Sequence, residues 1–202
     1  TSEQMQYVAD LADEYSFGEI RVSHEQNLIL ADVHEDNLYE LWNKAKNLHL
    51  ATPNIGLITD IICCPGGDFC SLANAKSIPI ADSIQQVFDD MDYLHDIGDI
   101  DLNISGCMNA CGHHHVGHIG ILGVDKDGSE WYQVTLGGNQ GNFANIGKVI
   151  GPSFSADEMP AVIRKIVDTY VEERHSDETF IDCVIRVGLD PFKLMVYGKK
   201  AN

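Results

Sequence analysis

Two short stretches decide the fold: Cys64-Pro-Gly-Gly-Asp-Phe-Cys70 and Cys107-Met-Asn-Ala-Cys111. Each follows an apolar run that is predicted to be a strand, 55–62 for the first and 100–104 for the second. Loops at the ends of strands commonly hold functional groups. We therefore interpret the four cysteines as one candidate site.

The spacing of the cysteines favours an iron–sulfur cluster. Four thiolates suit either zinc or such a cluster, but structural zinc usually takes pairs with only two residues between the cysteines, and neither pair has that spacing. The pliable segment between Cys64 and Cys70 can wrap around a cluster larger than one ion. If the second pair opens a helix, the helix N-terminus would favour thiolate. Zinc and buried apolar cysteines stay open as alternatives.

Length and composition indicate a globular protein. The 202 residues, 44% of them apolar, suffice for one large domain or two small ones. Neither a membrane-spanning run nor an export leader is visible, so we expect a cytoplasmic protein without a membrane partner. Disulfides are then disfavoured, and clustered cysteines indicate metal or redox chemistry. The first residue is Thr1, which suggests a processed product or a fragment.

The chain is strongly acidic. It has 13 Lys and Arg against 31 Asp and Glu, a formal net charge of −18. Phosphate binding needs clustered cations, so no nucleic-acid partner is expected. The same acidity disfavours docking of another acidic protein onto this surface.

The residues before a predicted boundary at Thr52-Pro53 form a helix–strand–strand–helix pattern. The predicted elements are a helix ending near Tyr15, strands at 19–23 and 27–31, and a helix capped by Asp36. This order is half of a ferredoxin-like fold. It has too few strands to close its own sheet, so we expect it to pair with another copy.

The remaining residues, 53–202, are predicted to form a mixed α/β domain, which makes the whole chain α+β. Besides the two strands named above, the patterns predict a helix over 79–94, a hairpin of 118–124 and 131–136, an irregular glycine-rich segment over 137–151, a helix capped by Asp157, and a short apolar helix within 178–196.

The sequence around the cysteines resembles the motifs of one family. Ser105-Gly-Cys-Met-Asn-Ala-Cys-Gly112 with His118-Ile-Gly-Ile-Leu-Gly123 is similar to the second cysteine motif of the sirohaem-dependent sulfite and nitrite reductases. Cys64-Pro-Gly-Gly-Asp-Phe-Cys70-Ser-Leu-Ala is similar to their first motif. The resemblance extends through Leu136-Gly-Gly138 to Glu178-Thr-Phe-Ile181 and covers essentially the whole chain. It matches the C-terminal half of the family's longer chains.

The resemblance implies the cofactors and the residues that bind them. Cys64, Cys70, Cys107 and Cys111 would hold a 4Fe–4S cluster. Cys111 would also bridge to the sirohaem iron and is the catalytic candidate. Asn109 matches a position near the cofactor.

The resemblance also implies the reaction: six-electron reduction of sulfite to sulfide, with nitrite reduction to ammonia as the alternative. The electron donor would be a flavoprotein or a ferredoxin. Cations that hold the anionic substrate come largely from the N-terminal half in this family, and this chain is poor in them. A non-catalytic fragment, or a metal-binding electron-transfer module, is therefore a further alternative.

Other cysteines and histidines have plainer interpretations. Cys63 lies one position before the first cysteine of the family's C-x5-C motif and is interpreted as a strand residue. Cys183 is interpreted as a core residue of the last helical region. Three consecutive histidines, His113 to His115, cannot all face one ion in regular structure. For these and His118 we expect a structural or polar-lining role, with proton donation to substrate as the alternative.

Overall fold

A computed structural model describes residues 1–198 of the protein. The chain forms two compact units, Thr1–Pro53 and a larger unit that begins at Asn54. The mixture of helices and strands confirms the α+β class.

The first unit has the predicted element order, with α1 (Ser2–Tyr15), β1 (Ile20–Val22), β2 (Leu28–Leu30) and α2 (Leu38–Lys46). The two strands pair antiparallel and form a two-stranded sheet. Thr1 caps α1, since its hydroxyl oxygen accepts the N–H of Gln4 at 3.2 Å.

The predicted cap at Asp36 is wrong. A 3₁₀ turn (Glu35–Asn37) precedes α2, and Asp36 lies inside it. His34 caps that turn, since its Nδ1 accepts the Asp36 N–H at 3.3 Å. The turn moves the start of the helical segment two residues towards the N-terminus.

The second unit contains a five-stranded sheet flanked by helices. Its elements are β3 (Ile62–Cys63), α3 (Gly66–Phe69), α4 (Ile78–Gln85), α5 (Met91–Ile97), β4 (Leu102–Ser105), β5 (Ile119–Lys126), β6 (Ser129–Leu136), β7 (Lys148–Val149), α6 (Met159–Glu173), α7 (Phe180–Val187) and α8 (Asp190–Tyr197). The strand order is β3-β4-β5-β6-β7. The first two pairings are parallel and the last two antiparallel.

Two predictions before the second cysteine motif are wrong. The apolar run 55–62 is not a strand, because turns closed by Leu57 N–H to Asn54 O and Asp60 N–H to Leu57 O occupy most of it. Only its last residue pairs, in β3. The helix predicted over 79–94 is two helices, α4 and α5. The Asp90 side chain caps the N-terminus of α5, since it accepts the N–H groups of Asp92 and Tyr93.

The C-terminal part contains one further correction. Asp157 lies inside a 3₁₀ turn (Ala156–Glu158) that precedes α6, and Ser155 caps this turn: its N–H and hydroxyl donate to the Glu158 carboxylate at 2.9 and 2.7 Å. Pro160 lies in the first turn of α6 as predicted. The tail forms two helices, α7 and α8, because Gly188 ends α7 with a positive φ of 72°.

The sheet has one apolar and one polar face. Leu102 and Ile104 of β4 lie in register with apolar residues of β5 and join the core formed with α4, α6 and α7. On the opposite face, Asn103, Gly120 and Thr135 form one row across β4, β5 and β6, with Ile62 of β3 and Val149 of β7 at its ends, and we name this the polar face after its central residues. Asn103 and Thr135 are buried, so this face is also covered.

Candidate metal centre

The parallel pairing of β3 and β4 brings the two cysteine motifs to the same edge of the sheet. Cys63 is opposite Ile104, and the N–H of Cys64 donates to Ile104 O at 3.1 Å. One step beyond the strands, the N–H of Gly106 donates to the Cys64 Sγ at 3.1 Å. The motifs therefore adjoin through a direct backbone–sulfur contact.

Glycine makes this contact possible. A Cβ on Gly106 would lie 2.6 Å from Ala75 O and 3.0 Å from the Cα of Gly66. The carbonyl of Gly106 accepts the N–H groups of Asn74 and Ala75 at 2.8 and 3.0 Å. The loop after Cys70 is thus attached to the start of the second motif.

The first motif is a single helical turn, α3, braced from the side. The N–H of Cys70 closes this turn on Gly66 O at 2.9 Å. Further along, the Lys76 carbonyl accepts the Tyr132 hydroxyl of β6 at 2.9 Å, and the Lys76 ammonium pairs with Asp68 at 3.2 Å. The Tyr132 bond holds the loop on β6, and the ion pair with Asp68 joins the loop to α3.

The second motif is a turn and does not open a helix, so the helix N-terminus expected to favour thiolate is not present there. The N–H of Ala110 bonds to Cys107 O at 3.1 Å, and Ala110 has a positive φ of 56° that turns the chain away. The following Gly112 donates to the Ser105 hydroxyl at 3.1 Å. The chain therefore doubles back over β4.

The four thiols differ in exposure. Cys64 and Cys107 are each 7% exposed, Cys70 is half-buried, and Cys111 is exposed. Asn109, between the second pair, is also exposed. The Cys64 Sγ lies 3.4 Å from the hydroxyl of buried Ser77.

Cys63 and Cys183 lie where predicted. Cys63 is in β3, and burial together with neighbouring Cys64 raises the pKa of its thiol to about 12. Cys183 is fully buried in α7.

The histidines separate into different environments. His118 is structural, since its Nδ1 accepts the Asp101 N–H at 3.1 Å. His113 and His115 are exposed, whereas His114 is buried at 1% exposure. No local sequence pattern indicates the burial of His114 or the contacts of Gly106, Ser77 and Tyr132.

The donor set fits an iron–sulfur cluster. Cys64, Cys70, Cys107 and Cys111 are free thiols on two adjoining loops, and a backbone N–H already points at one sulfur. Within residues 1–198, no three His, Cys, Asp or Glu side chains converge closely enough to hold a single metal ion. The thiolates of a 4Fe–4S cluster each bind a different iron, so a cluster does not require them to converge on one point.

Comparison with known families identifies the class. The nitrite and sulphite reductase 4Fe–4S domain matches residues 57–202, and the nitrite/sulfite reductase ferredoxin-like half domain matches residues 1–48. The chain therefore belongs to the nitrite and sulfite reductase family, a family of oxidoreductases that carry a 4Fe–4S cluster and sirohaem. This confirms the resemblance seen in the motifs.

Individual relatives differ in length. The assimilatory ferredoxin-dependent nitrite reductase of Haloferax mediterranei is 30% identical over 91% of this chain and 32% of its own length. The assimilatory-type sulfite reductase of Nitratidesulfovibrio vulgaris is 22% identical over 98% of this chain and 87% of its own length. A solved structure of the NirA protein of Mycobacterium tuberculosis, 27% identical, superposes with a TM-score of 0.79 over 94% of this chain and 36% of that one.

The chain thus spans about a third of the length of the first curated relatives that it matches. No helix among residues 1–198 is both long and apolar enough to cross a membrane.

Proposed function

We propose that this chain is the cofactor-carrying C-terminal half of a sulfite reductase, in which sulfite is reduced to sulfide with six electrons. The contact that supports the proposal is the N–H of Gly106 directed at the Cys64 Sγ, because it brings the residue before Cys107 against the sulfur of the first motif. Membership of the family supports the assignment of the cofactors.

Cys64, Cys70, Cys107 and Cys111 are the proposed cluster ligands. The Gly106 N–H and the nearby Ser77 hydroxyl stabilise negative charge on the Cys64 sulfur. Burial of Cys64 and Cys107 keeps water from these sulfurs. Bound together, the cluster and sirohaem would supply electrons and the metal site at which the anion is reduced.

Cys111 is proposed to bind both the cluster and the sirohaem, and its exposure supports this role, since an exposed sulfur would be accessible to both groups. Exposed Asn109 on the same turn is proposed as a cofactor contact. The cationic side chains that the substrate needs are proposed to come from an N-terminal half. Lys76, in the loop that follows Cys70, is already paired with Asp68.

Nitrite is the alternative substrate, because a curated relative at 30% identity is named a nitrite reductase. A relative of nearly the same extent as this chain is named a sulfite reductase of assimilatory type, which supports sulfite. The donor is proposed to be a ferredoxin or a flavoprotein. The cytoplasmic location stays a prediction.

The ligand assignment is tested by replacing neighbouring cysteines. After anaerobic reconstitution, Cys64→Ser should lose most of the iron, sulfide and cluster absorbance, whereas Cys63→Ser should keep them. Cys70, Cys107 and Cys111 should behave like Cys64. Loss of the cluster in Cys63→Ser with retention in Cys64→Ser would refute the assignment, and so would zinc without sulfide in the wild type.

The reaction is tested with reduced methyl viologen as the electron source. The chain loaded with both cofactors is assayed with sulfite and with nitrite, alone and with an N-terminal half supplied separately. Higher kcat/KM for sulfite supports the proposal, and higher kcat/KM for nitrite supports the alternative. A cofactor-loaded complex that reduces neither anion would leave the electron-transfer module as the better description.

A further inference from the structure

The segment that follows Cys111 is fastened to the polar face of the sheet through its backbone. The Asn103 side-chain amide donates to His113 O at 3.2 Å, and Gly147 N–H donates to His115 O at 2.8 Å. A Cβ on Gly120 would lie only 2.0 Å from His114 O. His114 therefore lies directly over the row of Asn103, Gly120 and Thr135.

The side chain of His114 is enclosed without satisfying its hydrogen-bonding capacity. It is 1% exposed, and neither ring nitrogen has a hydrogen-bond partner among residues 1–198. Burial, with a smaller effect of His115, lowers the pKa of His114 to about 4. The ring is thus neutral at pH 7, with one N–H donor and one acceptor nitrogen.

A second orphaned polar atom lies in the same region. The Oδ1 of Asn103 is buried and has no hydrogen-bond partner in the described chain, although the amide nitrogen of the same side chain is bonded to His113 O. Buried polar groups in folded proteins are nearly always paired, with protein or with ordered water. Water can accept from the imidazole N–H and donate to an amide oxygen, so it suits both atoms.

We propose that His114 is a positioning residue for the second cysteine motif: through internal water shared with Asn103, its imidazole fastens the segment after Cys111 to the polar face of the sheet. The hydration site does not depend on the proposed function. Its purpose, to keep Cys107 and Cys111 in place for the cluster, does rest on that proposal.

The hydration site is tested on the unloaded chain by NMR with ¹⁵N-labelled histidine. The His114 ring should be neutral at pH 7, with an N–H that exchanges more slowly than that of His115 and shows a cross-peak to long-lived water. A direct hydrogen-bond coupling to Asn103, or a ring N–H that exchanges as fast as that of His115, would overturn the proposal.

Variants test whether His114 and Asn103 are energetically coupled. His114→Leu should raise the unfolding equilibrium constant about 10- to 100-fold, because the Asn103 oxygen loses its water-mediated partner. His114→Gln, which keeps a donor and an acceptor, should recover much of the loss, and His115→Leu should change little. The effects of His114→Leu and Asn103→Leu should be coupled in a double-mutant cycle, whereas additive effects would exclude a shared water.

The positioning role is tested on the cluster-loaded chain. His114→Leu should shift the cluster's midpoint potential and EPR signal, His114→Gln should restore them, and His115→Leu should leave them unchanged. An unchanged signal in His114→Leu would refute positioning. If the wild type binds no cluster, the proposed function fails, while the NMR result still decides the hydration site.

Discussion

The two cysteine motifs are held in place by partly different means. The first, residues 64–70, is a helical turn in which a Cβ on Gly66 would lie 2.4 Å from Ser77 N, and its following loop is also braced by a side chain, with the Tyr132 hydroxyl bonded to Lys76 O. The second, residues 107–111, is a turn held by backbone bonds and by glycines that approach other backbone closely. A side-chain brace can be weakened one bond at a time, whereas a backbone contact at glycine tolerates no added atom.

The largest effect is expected from filling the glycine contact. Gly106→Ala should destabilise the chain by about 2–4 kcal/mol, because its Cβ would overlap Ala75 O and crowd Gly66. The measurement is urea unfolding, followed by cluster loading of the folded fraction.

The matched control for this change is Gly67→Ala in the first motif. Its Cβ would meet its nearest neighbours at an ordinary 3.4 Å, and alanine suits a helical position. Stability should change by less than about 1 kcal/mol. Equal losses in both variants would show that the close approach to Ala75 O is not what makes Gly106 sensitive to an added Cβ.

His114, in the segment that follows the second motif, should make the free energy of unfolding depend on pH. The pKa of His114 is lowered to about 4 in the folded chain, against about 6.5 when unfolded. At pH values between about 6.5 and 4 the unfolded state binds a proton that the folded state does not, so the free energy of unfolding falls by about 3 kcal/mol over this range.

Urea titrations at several pH values measure this dependence. His114→Gln should flatten the slope between pH 6.5 and 4 relative to the wild type. The control, His95→Gln at an exposed position of α5, should keep the wild-type slope. A wild-type slope in His114→Gln would contradict the assignment of this pH dependence to His114.

The smallest effect is expected from the brace of the first motif. Tyr132→Phe should cost about 1 kcal/mol, because the buried hydroxyl no longer donates to Lys76 O. Amide exchange should accelerate over residues 70–77 and stay unchanged over 107–116. The control is Tyr93→Phe, which removes a hydroxyl outside both motifs. Faster exchange in the second motif of Tyr132→Phe would show that the Tyr132 bond does not support the first motif alone.

Periodicity predicted most elements but not their ends. The hairpin of β5 and β6 follows from alternating apolar residues around Asp125-Lys-Asp-Gly128, because that signal is local. The run 55–62 is apolar without being a strand, since Leu57 and Ile58 are buried by turns. Apolar runs report burial, and burial does not require strand pairing.

The cysteine spacing and the neighbouring residues were enough to identify the family and to name the candidate ligands, since ligand chemistry depends on residue type and order. Only the tertiary structure decided how the motifs meet. The parallel pairing of β3 with β4, the contact of Gly106 with the Cys64 sulfur and the enclosure of His114 all join residues distant in the chain. Such contacts depend on strand register and packing, which local sequence patterns do not specify.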